Sequence, residues 1–139
     1  MTSIKSFDGG EFDAYLALPS SGYGPGILVL HEIYGVNNYM RSVADWYAAH
    51  GFVALCPDLF WRIERNVQLT DKDFERAIDF YQKIDENKAV NDSAAALEFL
   101  RRSSACSGRV GAVGFCMGGN LAYLLSTRFK PDCAVGYTV

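Results

Sequence analysis

The stretch VGAVGFCMGGNLAYLLSTR, residues 110–128, decides the fold. Its first part is apolar and β-rich, and from Asn120 onward it takes on a helical period. Between the two, Gly114-Phe115-Cys116-Met117-Gly118 has the spacing of a hydrolase nucleophile turn, with cysteine where serine is more usual. A strand that passes through so tight a turn into a helix needs small flanking residues, which Gly114 and Gly118 supply. Such a turn lifts residue 116 clear of the sheet and aims the positive end of the following helix at its sulfur. It also directs the Met117 amide toward the place where an oxyanion would form. Glycines around a cysteine also suit plain helix-to-sheet packing, but the position between a buried strand and a helix favours the catalytic reading.

Working outward, short β-rich runs alternate with helical segments. SIKSF and EFDAYLALP flank the turn signal Asp8-Gly9-Gly10 and predict an antiparallel hairpin. GILVLHE, residues 26–32, is a continuous apolar run, as expected of a strand buried on both faces. YMRSVADWYAAHG predicts a helix with Met40, Val43, Trp46 and Tyr47 on one stripe and Gly51 at its end. FVALCPDLF is the next strand, stopped by Pro57, and residues 61–69 are loop-like. Thr70 and Asp73 form a capping pair for a helix with Phe74, Ala77, Ile78 and Tyr81 inward. A further helix is expected over 92–102, with Ala96, Leu97, Phe99 and Leu100 inward, and CAVGYTV closes the series as a strand.

Strands alternating with helices predict an α/β fold, a doubly wound and mostly parallel sheet. Ligands of such sheets lie beyond the carboxyl ends of the strands, which directs attention to HEIYG and to GFCMGG. A sheet stopping at CAVGYTV would leave an apolar edge uncovered. The expectation is therefore a single α/β domain over residues 1–139, incomplete at its C-terminus and cut short before its last strands.

Half of the 139 residues are apolar, 21% are charged and the net charge is −3. That is a globular composition without the basic surface that nucleic acid requires. No apolar run approaches the roughly 18–20 residues that span a bilayer, and the N-terminus lacks the pattern of a signal peptide. No membrane partner and a cytoplasmic location are expected. The four cysteines form no CxxC pair and have no histidine at zinc-ligand spacing. No metal site is expected, and Cys56, Cys106 and Cys133 are read as reduced thiols that pack as small hydrophobes.

A cysteine nucleophile needs a base. The two histidines, His31 and His50, both precede Cys116. His50 lies at a helix end beside Gly51, where a histidine interacts with the helix dipole. His31 and Glu32 leave one strand together, so their side chains point to opposite faces and one of them faces the ligand. Glu32 is either a base, its pKa raised toward that of a thiol by burial, or a satisfied structural acid. The Ile33 amide in HEIYG is the natural second oxyanion donor.

HEIYGVNNYMRSVADWYAAHGFVALCPDLFWR, with GRVGAVGFCMGGNLAYL and AVGY, resembles the dienelactone hydrolase (carboxymethylenebutenolidase) family of the α/β-hydrolase superfamily. The resemblance covers essentially the whole chain and is strongest over 31–62 and 109–121. It implies a cofactor-free and metal-free hydrolase acting on a small-molecule lactone or ester, such as the enol-lactones met in aromatic-compound degradation, through an acyl-enzyme. By position it makes Cys116 the nucleophile, Glu32 the base that takes the thiol proton, and Ile33 and Met117 the oxyanion-hole amides. The family's triad aspartate and histidine follow the last two strands, and superfamily chain order also places them beyond residue 139. The family holds the substrate carboxylate with arginine, one of them in the helix that here reads DFERAIDFYQK. Counted without gaps from Cys116 that position falls on Phe74, two residues before Arg76. Arg76 is thus either the displaced substrate-binding arginine or a solvated helix residue making an i,i+4 pair.

The same scaffold also serves carboxylesterases and thioesterases. An elbow cysteine occurs too in amidotransferase and glyoxalase-type domains, against which HEIYG before CPDLF argues. A thiol redox or binding module is the non-enzymatic alternative, in which Cys116 would oxidise readily and cleave no ester.

Overall fold

The computed structural model describes residues 1–137, and Thr138 and Val139 of the expected closing strand lie outside the described residues. The elements run β1 (Thr2–Lys5), β2 (Glu11–Ala17), β3 (Gly24–Leu30), α1 (Asn38–Ala49) and β4 (Val53–Pro57). A single 3₁₀ turn, Asp71–Asp73, then precedes α2 (Phe74–Lys83), α3 (Glu86–Arg102), β5 (Cys106–Phe115), α4 (Met117–Arg128) and β6 (Cys133–Tyr137).

The strands form one sheet in the order β1-β2-β4-β3-β5-β6. The β1–β2 hairpin is antiparallel and joins β4 antiparallel, while β3 pairs parallel with β4 and β5, and β5 parallel with β6. Helices connect the parallel strands, because a chain that must return to start a parallel strand needs a crossover. On one face α3 and α4 pack Leu97, Leu100, Leu121 and Leu125 against Leu28, Leu30, Val110 and Ala112. On the other, α1 packs Met40, Ala44 and Ala48 against Val29, Ala54, Cys56 and Val113. The sheet is doubly wound, and β4 is buried at every position, as its unbroken apolar sequence requires.

α1 lies over β2, β4 and β3. In register, Gly111, Val113 and Phe115 of β5 face Cys133, Val135 and Tyr137 of β6, so these side chains share the α1 side of the sheet. Every residue of β6 is exposed.

Several helix faces differ from their sequence pattern. The buried face of α1 is Met40, Ala44 and Ala48, and Trp46 is exposed, with its ring lying against His50. In α2 the buried residues are Ala77 and Phe80, while Phe74 and Tyr81 each stand half in solvent. The stripe is rotated because Phe60 draws Phe80 inward into a ring stack with centroids 5.1 Å apart. The Thr70–Asp73 capping box is present, with Thr70 N–H donating to the Asp73 carboxylate at 3.0 Å, and it caps the 3₁₀ turn that leads into α2.

α3 begins at Glu86 rather than at residue 92, because the Asp85 carboxylate accepts the Lys88 N–H at 3.0 Å and caps it. Asp92 therefore falls inside the helix and is fully buried. Arg62 makes that burial tolerable. Its Nε and Nη2 donate to the Asp92 oxygens at 2.9 and 3.0 Å, and Trp61 Nε1 adds a third bond at 3.0 Å. The same guanidinium reaches Asp8 at 2.7 Å and Ser6 Oγ at 2.8 Å in the hairpin turn. It also lies 4.5 Å from the centroid of the Trp61 ring. This ion pair raises the Arg62 pKa and holds the Asp8 carboxyl well below its usual range. One side chain thus ties the β1–β2 turn, the loop after β4 and α3 together.

Candidate active site

The turn after β5 is as tight as its sequence implies. A Cβ on Gly114 would strike the Gly118 carbonyl oxygen, and one on Gly118 would strike the carbonyls of Leu30 and His31 at the end of β3. A Cβ on Gly119 would come within 2.7 Å of the Tyr137 carbonyl oxygen in β6. Cys116 itself has φ 55°, a positive value that only Asn66 shares among the described non-glycine residues. A conformation costly to an L-residue persists where its surroundings hold it. Here the Cys116 N–H donates to Tyr137 O at 2.7 Å, and the Cys116 carbonyl accepts from Gly119 N–H at 3.0 Å.

Cys116 is the N-cap of α4, whose first turn contains no acidic residue to offset the positive helix end. Met117 opens α4, and its N–H makes no hydrogen bond among the described residues. Ile33, in the loop after β3, is likewise buried with an N–H unpaired among the described residues. Two N–H groups without a partner among the described residues thus belong to the segments that meet at this turn. The Gly118–His31 backbone contact is where those loops touch.

His31 and Glu32 do part company. His31 is fully buried: its Nδ1 donates to the Glu32 carbonyl at 2.7 Å, and its Nε2 accepts the Leu59 N–H at 3.0 Å. Those two bonds require the neutral Nδ1–H tautomer, and burial pushes its pKa down. It pins the loop after β3 to the loop after β4 and has no free nitrogen. Glu32 is half-buried, its pKa raised by desolvation, and it lines a cleft of about 330 Å³ with Tyr34, Tyr39, Gln68 and Asp71. No hydrogen bond joins Glu32 to Cys116 Sγ among the described residues, although their loops are in backbone contact. His50 donates from Nδ1 to Trp46 O at 2.8 Å and caps the end of α1.

Arg76 is exposed, pairs with Glu64 at 2.7 Å and lies 5.5 Å from the Phe80 ring centroid. The i,i+4 ion pair of α2 is instead Asp79–Lys83. Sequence reading missed the part that β6 plays. Phe115 and Tyr137 stack in parallel with centroids 5.3 Å apart, and beside Tyr47 and Trp46 they wall a second cleft of about 500 Å³. The available signal was the pair Gly119 and Gly136, whose backbones approach closely: a Cβ on Gly136 would come within 2.9 Å of Gly119 O. Among the described residues no three metal-ligating side chains come together, and no helix is long and apolar enough to cross a membrane.

A mostly parallel sheet in this strand order, with a cysteine at a strand-to-helix elbow and an amide-bearing loop after the neighbouring strand, is the arrangement of the α/β hydrolases. The sequence profile of the dienelactone hydrolase family matches residues 12–138. Over 137 residues the chain is 36% identical to carboxymethylenebutenolidase 1 of Cupriavidus pinatubonensis, covering 96% of this chain and 58% of that protein. It is 38% identical over 138 residues to the carboxymethylenebutenolidase of Pseudomonas putida, covering 97% of this chain and again 58% of the relative. A solved structure from Klebsiella pneumoniae described as a dienelactone hydrolase superposes with a TM-score of 0.80 at 26% identity, over 97% of this chain and 57% of that one. The chain belongs to the dienelactone hydrolase family, and it spans somewhat more than half the length of these relatives.

Proposed function

We propose that the whole protein is a cysteine-dependent hydrolase of lactones or esters. The observation that carries this reading is the elbow: a cysteine held at φ 55° at a helix N-terminus, where the segments carrying the unpaired Met117 and Ile33 N–H groups come into backbone contact. Cys116 Sγ attacks the substrate carbonyl carbon. The oxyanion forms against the Met117 and Ile33 N–H groups, which strengthen their bonds as charge develops there. The carbon–oxygen bond to the leaving group then breaks, the departing oxygen takes a proton, and water hydrolyses the thioester to the free acid. Glu32 takes the thiol proton when substrate enters. Desolvation has already raised the affinity of its carboxylate for a proton, and a substrate that closes the cleft raises it further.

The family relationship supports the class of reaction, and in the whole enzyme an acid and a histidine following the nucleophile would complete the machinery. His31 does not fill that role, since both of its ring nitrogens are already bonded to backbone. The substrate-holding role for Arg76 finds no support in its geometry, since it is exposed and paired with Glu64.

The test is turnover of a lactone by the whole protein and by its Cys116→Ala and Glu32→Gln variants, with intact-mass detection of the acyl adduct. Cys116→Ala is expected to lose about 10³-fold or more in kcat and to form no adduct. Glu32→Gln should lower kcat with little change in KM. Full activity in Cys116→Ala would overturn the reading.

A further inference from the structure

The two polar ends of the Glu32–Ile33 peptide have different surroundings. Its oxygen accepts His31 Nδ1–H at 2.7 Å and Gly35 N–H at 3.3 Å. Its N–H has no partner among the described residues. The described peptides are all trans, and in a trans peptide the C=O and N–H point in opposite directions within one plane. Whatever fixes the direction of the oxygen therefore fixes that of the N–H. His31 is itself held from the far side of its ring. Leu59 N–H donates to Nε2 at 3.0 Å, which requires that nitrogen to be unprotonated and leaves the proton on Nδ1. The Phe60 ring meets the imidazole edge-on with centroids 4.9 Å apart, and His31 is fully buried. A chain of bonds thus runs from the loop after β4, through one imidazole, to the plane of the peptide after β3.

We propose that His31 is a positioning residue for the reaction: by holding the Glu32 carbonyl, it sets the direction and donor strength of the Ile33 N–H toward the developing oxyanion. The inference rests on the reading of Cys116 and the Ile33 amide given above and adds the residue that stands behind that amide. Hydrogen bonds in such a chain polarise one another. A proton donated to the carbonyl oxygen draws electron density from the N–H of the same peptide and makes it a better donor. An anion on that N–H in turn makes the carbonyl oxygen a better acceptor. Both bonds therefore strengthen as negative charge develops, in the transition state more than in the bound ester.

The experiment compares two reactions of Cys116 in the whole protein, each read from the mass of the peptide that contains it. In acylation by p-nitrophenyl acetate, sulfur bonds to the carbonyl carbon through an oxyanion, the thiol proton goes to Glu32 and p-nitrophenolate leaves. In alkylation by iodoacetamide, sulfur bonds to a saturated carbon, iodide leaves and no oxyanion forms. His31→Leu fills the site without a donor or an acceptor, and it is expected to slow acylation about tenfold relative to alkylation. His31→Gln, whose amide carries both an N–H and an oxygen, should recover most of that ratio. Equal loss in the two reactions, or equal loss of the ratio in the two variants, overturns the proposal, since a residue that only holds the fold would act in that way. The native protein gives a second readout that depends on neither variant folding. A trifluoromethyl ketone that adds to Cys116 leaves a stable oxyanion, and the His31 Nδ1 proton signal in NMR should then move downfield. An adduct that leaves this signal in place overturns the proposal while the nucleophile stands. No acylation and no adduct in the native protein refutes the Cys116 reading itself.

Discussion

Replacing Asp92 with alanine tests whether the Arg62 cluster holds the N-terminal hairpin to the rest of the molecule. The Asp92 side chain has no solvent exposure, and it accepts from Arg62 Nε at 2.9 Å, Arg62 Nη2 at 3.0 Å, Trp61 Nε1 at 3.0 Å and Ser6 Oγ at 2.8 Å. The substitution strands the Trp61 N–H and removes the buried half of the ion pair. Breaking a buried pair in this way costs about 3–5 kcal/mol. Arg62 keeps its bond to Asp8 at 2.7 Å and is 22% exposed, so part of its charge stays compensated. The expected loss is therefore near the lower bound, about 3 kcal/mol. Urea unfolding followed by circular dichroism should show the midpoint fall with the slope unchanged. Asp8→Ala, at the solvent-exposed end of the cluster, should lose less. A loss below about 1 kcal/mol for Asp92→Ala, the range of a surface pair, would refute the argument. So would a loss no larger than that of Asp8→Ala.

Two further outcomes follow from the site. Gly118→Ala should abolish the elbow, because its Cβ would overlap the Leu30 and His31 carbonyl oxygens, which are main-chain atoms and cannot swing aside. Retained stability and retained Cys116 alkylation kinetics would contradict this. His31, neutral and fully buried, has a folded pKa below the ordinary 6.5, so the unfolded chain binds a proton that the native state refuses. Stability is expected to fall as pH drops below 6.5, and the His31 ring signals in NMR should titrate below that value. A midpoint at or above it would refute the assigned tautomer network.

What was legible in the sequence is what local chemistry dictates. The β1–β2 hairpin follows from Asp8-Gly9-Gly10, and the elbow from glycines placed where no side chain fits. β3 and β4 follow from apolar runs that have no polar face. The separation of His31 from Glu32 followed from strand alternation alone. Rotation of a helix about its axis was not legible in this way. The expected stripe of Phe74, Ala77, Ile78 and Tyr81 was right at Ala77, but Phe80, stacked on Phe60, is buried in place of Phe74 and Tyr81. Asp92 misled for a related reason. The expected helix started at residue 92, and the partner that lets Asp92 be buried inside it, Arg62, lies thirty residues earlier in a loop with no period to mark it.

The geometry at Cys116 shows why a motif alone underdetermines a site. The turn Gly114–Gly118 is local, but the conformation of its central residue is not. The Leu30 and His31 carbonyls press on Gly118 from β3, and the Tyr137 carbonyl holds the Cys116 N–H from β6. The elbow is therefore wedged between two strands that are distant in sequence and adjacent to β5 in the sheet. Neither contact uses a side chain of the neighbouring strand, so the strand order is what supplies them. Ile33 lies in the loop directly after β3, the strand whose end meets Gly118. A cysteine at positive φ is tolerable because both neighbours of β5 constrain it from outside. Its conformation consequently depends on the integrity of β3 and β6 as much as on the sequence of the turn itself.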